Sequence, residues 1–284
     1  MYAWVTVIVL VESGTGAAEN TSDAQLRISH DPSIARAATT CDAVSSASRL
    51  PVAYARRMKP DGGVQLVDVT VRYGSRTALE ALHGSFAPGS LTAVVGANGA
   101  GKSTLLMAVA GTVRLARGAV ACRARAQGRL AFLPQLAAID RSFPLTVAEL
   151  VALGGWREFG AFRAPSPALW ARAEEAGAAV GLTKRLSRRV SELSEGELRR
   201  ALFARLILQD ATVIMLDEPF AAVDAATTAA LLDQLMRWHE EGRTVIVVLH
   251  DLAMVRAHFP ETLALARRCV AWGATEAALP AIAA

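Results

Sequence analysis

Apolar and polar residues follow regular patterns along most of this chain, and the patterns alternate between strand-like and helix-like spacing. The stretch VQLVDVTVRY, residues 64–73, alternates as a half-buried strand does, and shorter runs that are almost wholly apolar follow it. These runs predict buried strands at 91–95, 129–134, 212–219 and 244–251. Apolar strands separated by helical segments predict an α/β fold with a mostly parallel sheet that is covered on both faces.

Helical spacing occupies several segments between the predicted strands. The predicted helices cover a segment that begins at Lys102 and the ranges 146–153, 168–180, 197–208 and 225–242. The last of these ends at Gly242, and glycine commonly closes helices. The helical region at about 136–190 interrupts the series of strands, and we interpret it as a subdomain inserted into the sheet.

The first part of the chain differs from the rest. Residues 1–60 are rich in Ala, Ser and Thr, and we predict a disordered or poorly packed extension before a domain at 61–284. The apolar run from Ala3 to Val11 is too short to cross a bilayer, and it lacks the basic start of a signal peptide. Two interpretations remain open: a flexible tail, or a natural translation start near Met58, where regular alternation begins.

Composition favours a folded protein without disulfides. Of the 284 residues, 52% are hydrophobic and 20% are charged, so a packed core can form. The formal net charge is +4 and most basic residues are scattered, which we interpret as composition bias together with a preference for anionic ligands. We predict no nucleic-acid partner. The three cysteines are far apart and lack metal-binding spacing, which favours a reducing compartment.

A phosphate-binding loop is predicted by GANGAGKST, residues 96–104, which follows a buried strand and opens a helix. Glycines allow the backbone to wrap around phosphates, and the N–H groups at a helix N-terminus favour an anion. Lys102, one of only three lysines, is expected to contact the β- and γ-phosphates, and Ser103 to offer its hydroxyl to Mg²⁺. A glycine-rich turn of similar composition is the alternative, and the strand–loop–helix context disfavours it.

Two further strands end in residues that suit phosphate chemistry. VIMLDEP places Asp217 and Glu218 at the end of a buried strand, where doubly wound folds bind their ligands. Asp217 can hold Mg²⁺ through its water shell, and Glu218 can polarise an attacking water molecule. VIVVLHD ends with His250, which can reach a γ-phosphate. Each strand end alone has a structural explanation, but together with the loop they indicate nucleotide hydrolysis.

Together these motifs resemble the ATP-binding subunit of ABC transporters over about residues 64–272. The resemblance implies a P-loop NTPase with a mostly parallel sheet core, an N-terminal antiparallel β subdomain and an inserted helical subdomain. It also implies that ATP and Mg²⁺ are bound. The corresponding Walker A loop comprises Gly96, Ala97, Asn98, Gly99, Ala100, Gly101, Lys102, Ser103 and Thr104.

The same resemblance assigns roles to residues outside the loop. Tyr73 in VRYG corresponds to the aromatic that stacks on adenine, and Asp224 in AAVDA corresponds to the D-loop. Gln135 in FLPQ is implied to touch Mg²⁺ and sense the permease, and His250 is the switch histidine. The implied catalytic set is Glu218, His250 and Gln135, and the implied ligands of the Mg²⁺ of MgATP are Ser103, Gln135 and Asp217. Individually, Tyr73 could be a core aromatic, Gln135 a turn residue and Asp224 a helix N-cap.

The signature motif of this family corresponds to LSEGE, with Glu195 in place of a glycine and a second glutamate in place of the usual glutamine. The resemblance implies that Ser194 and Gly196 contact the γ-phosphate held by the other subunit of a head-to-tail dimer. Glu195 opposes this phosphate unless it turns outward or Arg199 or Arg200 neutralises it. We predict a working site with slower or more regulated hydrolysis, and a surface capping box is the alternative.

Partners and cargo follow from the same resemblance. It implies a homodimer on the cytoplasmic face of the bacterial inner (plasma) membrane, attached peripherally to an integral membrane permease and linked indirectly to a periplasmic or surface solute-binding protein. Phe143, Leu145, Trp156 and Phe159 form either a docking surface or packing within the helical subdomain. The segment that carries them and the short C-terminal region resemble bacterial zinc and manganese uptake ATPases. Zinc is the predicted cargo, followed by manganese and iron chelate.

Two other classes of function fit the residues less well. A soluble ABC ATPase of a cluster-assembly system would share the motifs and stays as the alternative to transport. Soluble types that act on ribosomes usually carry two modules and repair types carry a long coiled coil, and the sequence indicates neither. A non-catalytic nucleotide switch would lack Glu218 or His250, and both are present.

Overall fold

A computed structural model describes residues 63–135, 141–142, 144–221 and 223–280. The predicted N-terminal extension, the hypothetical start at Met58 and Phe143 lie outside these residues. The described strands are β1 (Val64–Tyr73), β2 (Arg76–Phe86), β3 (Leu91–Val95), β4 (Arg117–Cys122), β5 (Leu130–Leu133), β6 (Val213–Asp217), β7 (Thr244–Val248), β8 (Glu261–Ala266) and β9 (Arg268–Ala274).

Five of the described helices agree with the helical spacing of the sequence, with small shifts at their ends, and the four others, at 123–126, 156–159, 252–258 and 275–278, were not predicted. They are α1 (Lys102–Ala110), α2 (Arg123–Ala126), α3 (Val147–Ala152), α4 (Trp156–Phe159), α5 (Pro167–Ala179), α6 (Glu195–Gln209), α7 (Ala225–Glu240), α8 (Leu252–His258) and α9 (Thr275–Ala278). None of these helices, which lie between residues 102 and 278, is both long and apolar enough to span a membrane.

The larger sheet has the strand order β5-β6-β7-β3-β8-β9. Neighbouring strands are parallel except for β8 and β9, so the predicted mostly parallel sheet is confirmed. Within β6, Ile214 and Leu216 belong to one hydrophobic cluster, and Val213 and Met215 belong to another. Because side chains alternate between the faces of a strand, this division means that both faces of the sheet are covered, which explains the wholly apolar strand sequence.

A smaller antiparallel sheet, β2-β1-β4, packs against the face that also carries α1. The implied antiparallel β subdomain is therefore present, although only β1 was predicted from spacing. β2, β4, β8 and β9 were not predicted because their buried and exposed positions do not alternate regularly, and alternation is what the prediction of half-buried strands depends on.

The opposite face of the large sheet carries α3, α5, α6 and α7. α3 begins with a capping box formed by Thr146 and Glu149, and α5 begins at Pro167 after the N-cap Ser166. Both helices pack against α6, which runs from the signature segment across this face. The bounds 136–190 for an inserted helical subdomain stay a prediction.

The apolar residues proposed as a docking surface are partly buried. Leu145 and Phe159 pack against the core cluster beside α3 and α5. The rings of Trp156 and Phe159 meet edge to face, with centroids 5.2 Å apart. These contacts support packing within the helical region for the three described residues.

Candidate nucleotide-binding site

The phosphate loop joins β3 to α1 in a conformation that requires glycine at two positions. Gly96 has φ +154° and Gly101 has φ +98°. A Cβ atom at Gly96 would lie 2.1 Å from the carbonyl oxygen of Leu265, and one at Gly101 would lie 2.5 Å from that of Ala78. Any side chain would displace neighbouring backbone, so these glycines allow the loop to turn tightly over the sheet.

Lys102 opens α1 and turns back towards the loop. Its Nζ atom donates hydrogen bonds to the carbonyl oxygens of Gly96, at 2.8 Å, and Ala97, at 3.0 Å. The residue is only 6% exposed, and this burial lowers its pKa, while Glu218 and Asp217 act in the opposite direction. The ammonium group is therefore held over the loop, in position to exchange carbonyl contacts for contacts with phosphate oxygens.

Asp217 ends β6 and is 2% exposed. Burial raises its pKa, against the effect of a hydrogen bond from Ser103. Its Oδ1 atom is buried without a hydrogen-bond partner. A buried acceptor of this kind fits a cation or its water shell, so Asp217 and Ser103 suit Mg²⁺. No three His, Cys, Asp or Glu side chains of the described residues could hold a metal by themselves, so phosphate and water ligands would be needed.

Glu218 is the meeting point of three distant segments. Its Oε1 atom accepts a hydrogen bond from Gln135 Nε2 at 3.1 Å and lies 2.6 Å from His250 Nε2. Gln135 follows β5, and His250 follows β7. Because β5, β6 and β7 are parallel neighbours, their carboxyl ends bring all three side chains to one edge of the sheet.

These side chains border a cavity of about 850 Å³. The described residues that line it are Tyr73, Arg76, Ala78, Asn98, Gly99, Gly101, Lys102, Ser103, Thr104, Gln135, Glu218 and His250. Tyr73 is 48% exposed, which rules out a core aromatic and leaves its ring available for stacking. Arg76 and Ala78 were not singled out in the sequence, and the only signal for them was their position within five residues of Tyr73.

The signature segment lies elsewhere on the chain. Ser194 and Gly196 are outside the described lining of this cavity. Ser194 caps α6 by accepting from the N–H of Glu197, and Glu197 accepts from the N–H of Ser194, which together form a capping box. The other carboxylate oxygen of Glu197 pairs with Arg185 at 2.9 Å. The capping box considered as an alternative is thus present, and it compensates the charge of Glu197 inside the chain; the hydrogen bond from Ser194 N–H also lowers the Glu197 pKa.

The two arginines considered as possible counter-charges for Glu195 donate hydrogen bonds to backbone carbonyl groups. Arg199 donates to the carbonyl oxygen of Glu218, and Arg200 donates to that of Val180 at 3.4 Å. Burial lowers the pKa of Arg199, while the charges of Glu195 and Glu218 raise it. Arg199 therefore lies between the signature segment and the end of β6, close enough for both carboxylates to affect it.

Asp224 caps α7 and accepts hydrogen bonds from the N–H and hydroxyl of Thr227, both at 2.8 Å. The backbone hydrogen bond from Thr227 is the main cause of its lowered pKa. The N-cap interpretation describes its geometry within one chain. The D-loop role stays a prediction.

Comparison with known proteins identifies the family of this domain. A family model described as ABC transporter matches residues 79–221. The zinc transport system ATP-binding protein TroB of Treponema pallidum is 39% identical over 76% of this chain and 82% of its own length. The manganese transport system ATP-binding protein MntB of Bacillus subtilis is 35% identical, over 75% of this chain and 87% of its own.

A solved structure agrees with these matches. The structure of a metal-chelate type ABC transporter in an inward-facing conformation superposes with a TM-score of 0.67 and 26% identity, over 78% of this chain and 89% of that one. A nucleotide-free ATP-binding cassette, at 18% identity and a TM-score of 0.66, shares the fold. The chain belongs to the ABC transporter family, in which it is an ATP-binding domain that hydrolyses ATP to drive transport.

Proposed function

We propose that this chain is the ATP-hydrolysing subunit of an importer that takes up zinc through separate membrane permease subunits. The observation that carries the hydrolytic part is the position of Glu218. Its carboxylate lies within hydrogen-bond distance of both Gln135 and His250, in the cavity that also contains Lys102. A carboxylate held at the end of a phosphate-binding cavity supports water activation, beyond the mere binding of ATP.

ATP would bind with its adenine on Tyr73 and its phosphates in the loop of residues 96–104. Tyr73 has the exposure that stacking requires, and it borders the same cavity as Lys102 and Ser103. Lys102 Nζ would leave the carbonyl oxygens of Gly96 and Ala97 for the β- and γ-phosphates. The N–H groups of the first turn of α1 would face the anion, since Gly101 provides no side-chain cap for them.

Hydrolysis would begin when Glu218 accepts a proton from a water molecule. The water oxygen forms a bond to the γ-phosphorus, and the bond to the bridging oxygen breaks with its electron pair remaining on ADP. In the described geometry, Oε1 of Glu218 is engaged by Gln135 and His250. We infer that these two side chains must move towards the γ-phosphate and its cation before Glu218 can contact water.

Mg²⁺ fits this arrangement through Ser103, Asp217 and Gln135. Two groups would hold the ion: the unpartnered Oδ1 of Asp217, at the end of β6, and the neighbouring hydroxyl of Ser103, in α1. When bound, Mg²⁺ would neutralise charge on the β- and γ-phosphate oxygens. It would also favour the ionised form of Asp217, which burial alone disfavours.

The active assembly would be a homodimer in which each chain completes the other's site. Ser194 and Gly196 lie away from the cavity of their own chain, which supports their contacting the ATP of the second subunit. Asp224, exposed at the start of α7, would face the same interface. The dimer would attach to a membrane permease at the cytoplasmic face of the inner membrane, and a solute-binding protein would act through that permease.

Zinc is proposed as cargo because the relative in Treponema pallidum is named for zinc transport, and manganese is the alternative because the relative in Bacillus subtilis is named for manganese transport. Deleting the gene in its own bacterium should abolish the uptake of radioactive zinc at low external concentration and leave manganese uptake intact. Loss of manganese uptake alone would assign the other cargo. Unchanged uptake of both would contradict the proposal of metal import.

Complementation of the deletion strain gives the matched control. The unmodified chain should restore zinc uptake. The Glu218→Gln chain should not, although it is expressed to the same level. Restoration by both chains would show that uptake does not depend on hydrolysis by this subunit.

Glu195 is expected to restrain the reaction. It is exposed in the first turn of α6, where its charge would meet the γ-phosphate of the other subunit. Glu195→Gln should raise ATP hydrolysis at subsaturating ATP by about fivefold, which corresponds to about 1 kcal/mol of like-charge repulsion removed. Phosphate release measured against ATP concentration tests this expectation.

The control for Glu195 is Glu192→Gln, an exposed glutamate in the turn directly before the signature segment. It removes the same charge from the same region and should leave the rate unchanged. A lower rate in Glu195→Gln would contradict the expectation, because it would mean that this carboxylate contributes favourably to the site.

A further inference from the structure

The backbone of Glu218 has an uncommon conformation. Its φ angle is +52°, in the left-handed region that residues with a Cβ atom rarely occupy. Such a conformation costs free energy and persists only where neighbouring groups hold it. The residue directly after β6 therefore needs specific partners for its peptide groups.

Three hydrogen bonds hold these peptide groups. The N–H of Glu218 donates to the carbonyl oxygen of Val248 at 3.2 Å, which fastens it to β7. Its own carbonyl oxygen accepts from the guanidinium of Arg199 and, at 3.3 Å, from the N–H of Ala221. Gln135 and His250 hold the side chain, so hydrogen bonds restrain both the backbone and the carboxylate of Glu218.

Burying Arg199 to hold this carbonyl group costs free energy. It is only 5% exposed, and its Nε atom is buried without a hydrogen-bond partner. Burying a guanidinium with an unsatisfied donor opposes folding, so packing alone does not account for it. The charges that face it are the carboxylates of Glu195, four residues earlier on α6, and Glu218.

The contact also connects two parts of the proposed machinery. Arg199 lies in the second turn of α6, the helix that Ser194 caps and that begins with the signature segment. Glu218 lies at the end of β6 in the nucleotide cavity. A shift of α6 relative to the sheet would therefore act directly on the peptide that orients the Glu218 carboxylate.

We propose that Arg199 is a positioning residue that holds the Glu218 backbone in its left-handed conformation and couples this conformation to the position of α6. The inference rests on the proposed role of Glu218 as the group that activates water. Without Arg199 the carbonyl group keeps only the N–H of Ala221 as a donor and the carboxylate is aimed less well, while the contacts that bind ATP remain. The rate of the chemical step then falls, while ATP binding does not change.

The test is Arg199→Met, which keeps a long side chain and removes the donor. We expect kcat to fall about tenfold while the Kd of a fluorescent ATP analogue stays within about twofold of the parent. Arg199→Lys should recover at least about a third of the parental rate, because an ammonium group can still donate to the carbonyl. A merely structural role would not produce this division between kcat and Kd.

Arg243→Met is the matched control. Arg243 also donates to a backbone carbonyl, that of Ala211 at 3.2 Å, but it lies at the amino ends of β6 and β7, away from the cavity. This variant should lose stability, measured as Tm, yet keep the parental kcat. Equal losses of kcat in Arg199→Met and Arg243→Met, in proportion to their losses of Tm, would overturn the proposal.

A double variant separates the proposal from the function on which it rests. In single-turnover measurements, adding Arg199→Met to Glu218→Gln should lower the residual rate by less than about twofold, because both changes act through one residue. A further tenfold loss, or a parental kcat in Arg199→Met alone, would overturn the positioning role. A parental rate in Glu218→Gln would instead contradict the proposed function itself.

Discussion

Glu218→Gln should lower ATP hydrolysis by about 100- to 1,000-fold, the range expected when a general base is removed. Glutamine has the same size and can keep a hydrogen bond with its neighbours, but it cannot accept the proton of the attacking water. ATP should still bind, since the loop and Tyr73 are unaltered. Phosphate release at saturating ATP and Mg²⁺, together with titration of a fluorescent ATP analogue, measures both effects.

The control for this prediction is Glu240→Gln, an exposed glutamate at the end of α7. It makes the same chemical change near the amino end of β7, opposite the end that carries His250, and should retain the parental rate. If Glu218→Gln kept more than about a third of the parental rate, Glu218 could not be the principal base.

Lys102→Met should weaken ATP binding by about 100-fold, or about 2.8 kcal/mol, because charge-assisted hydrogen bonds to two phosphates are lost. The stability of the nucleotide-free protein should change little. Burial lowers the pKa of Lys102, so its charged form costs stability at neutral pH, a cost that disappears as pH rises through its folded pKa towards the unfolded value. Methionine removes both this cost and the hydrogen bonds to Gly96 and Ala97.

Thermal unfolding with and without ATP and Mg²⁺ distinguishes the two effects. Ligands that bind only the folded state raise Tm, so the parent should be stabilised by nucleotide and Lys102→Met should not. Lys184→Met is the control, since Lys184 is exposed in the turn Thr183–Arg185. A rise in Tm with nucleotide that equals the parent's would contradict the proposed role of Lys102.

The altered signature segment illustrates how one motif can satisfy two interpretations. Ser194 and Glu197 form a capping box, which is what a surface helix would also need. Two negative charges, those of Glu195 and Glu197, oppose an anion at this helix end. The ion pair with Arg185 compensates the charge of Glu197. The charge of Glu195 is not compensated in this way, and the Glu195→Gln variant tests its effect on hydrolysis.

Local features of the site were predictable because they depend on short stretches of sequence. The phosphate loop needs glycines at fixed positions between a strand and a helix, and Gly96 and Gly101 have the close backbone contacts that this implies. The predicted strands 212–219 and 244–251 contain β6 and β7, since residues buried on both faces must be apolar without interruption. The ends of these strands carry Asp217 and His250.

The sequence predicted less well where an element depends on its neighbours. β2 and β9 escaped prediction because their exposed and buried residues do not alternate strictly. Arg199 was noted only as a neighbour of Glu195. Its contact with the carbonyl oxygen of Glu218 arises because α6 packs on the sheet at β5, the neighbour of β6, a placement that the spacing of apolar residues along α6 does not specify.

By itself, the sequence determined the family of this protein, the phosphate loop and the strand ends that carry acid and imidazole groups, because each is written in contiguous residues whose burial and backbone requirements are local. Only the tertiary structure decided that one carboxylate oxygen of Glu218 meets both Gln135, 83 residues earlier, and His250, 32 residues later. It likewise decided that Arg199 holds the Glu218 carbonyl. These contacts depend on the strand order β5-β6-β7 and on the position of α6, which follow from the packing of the whole domain.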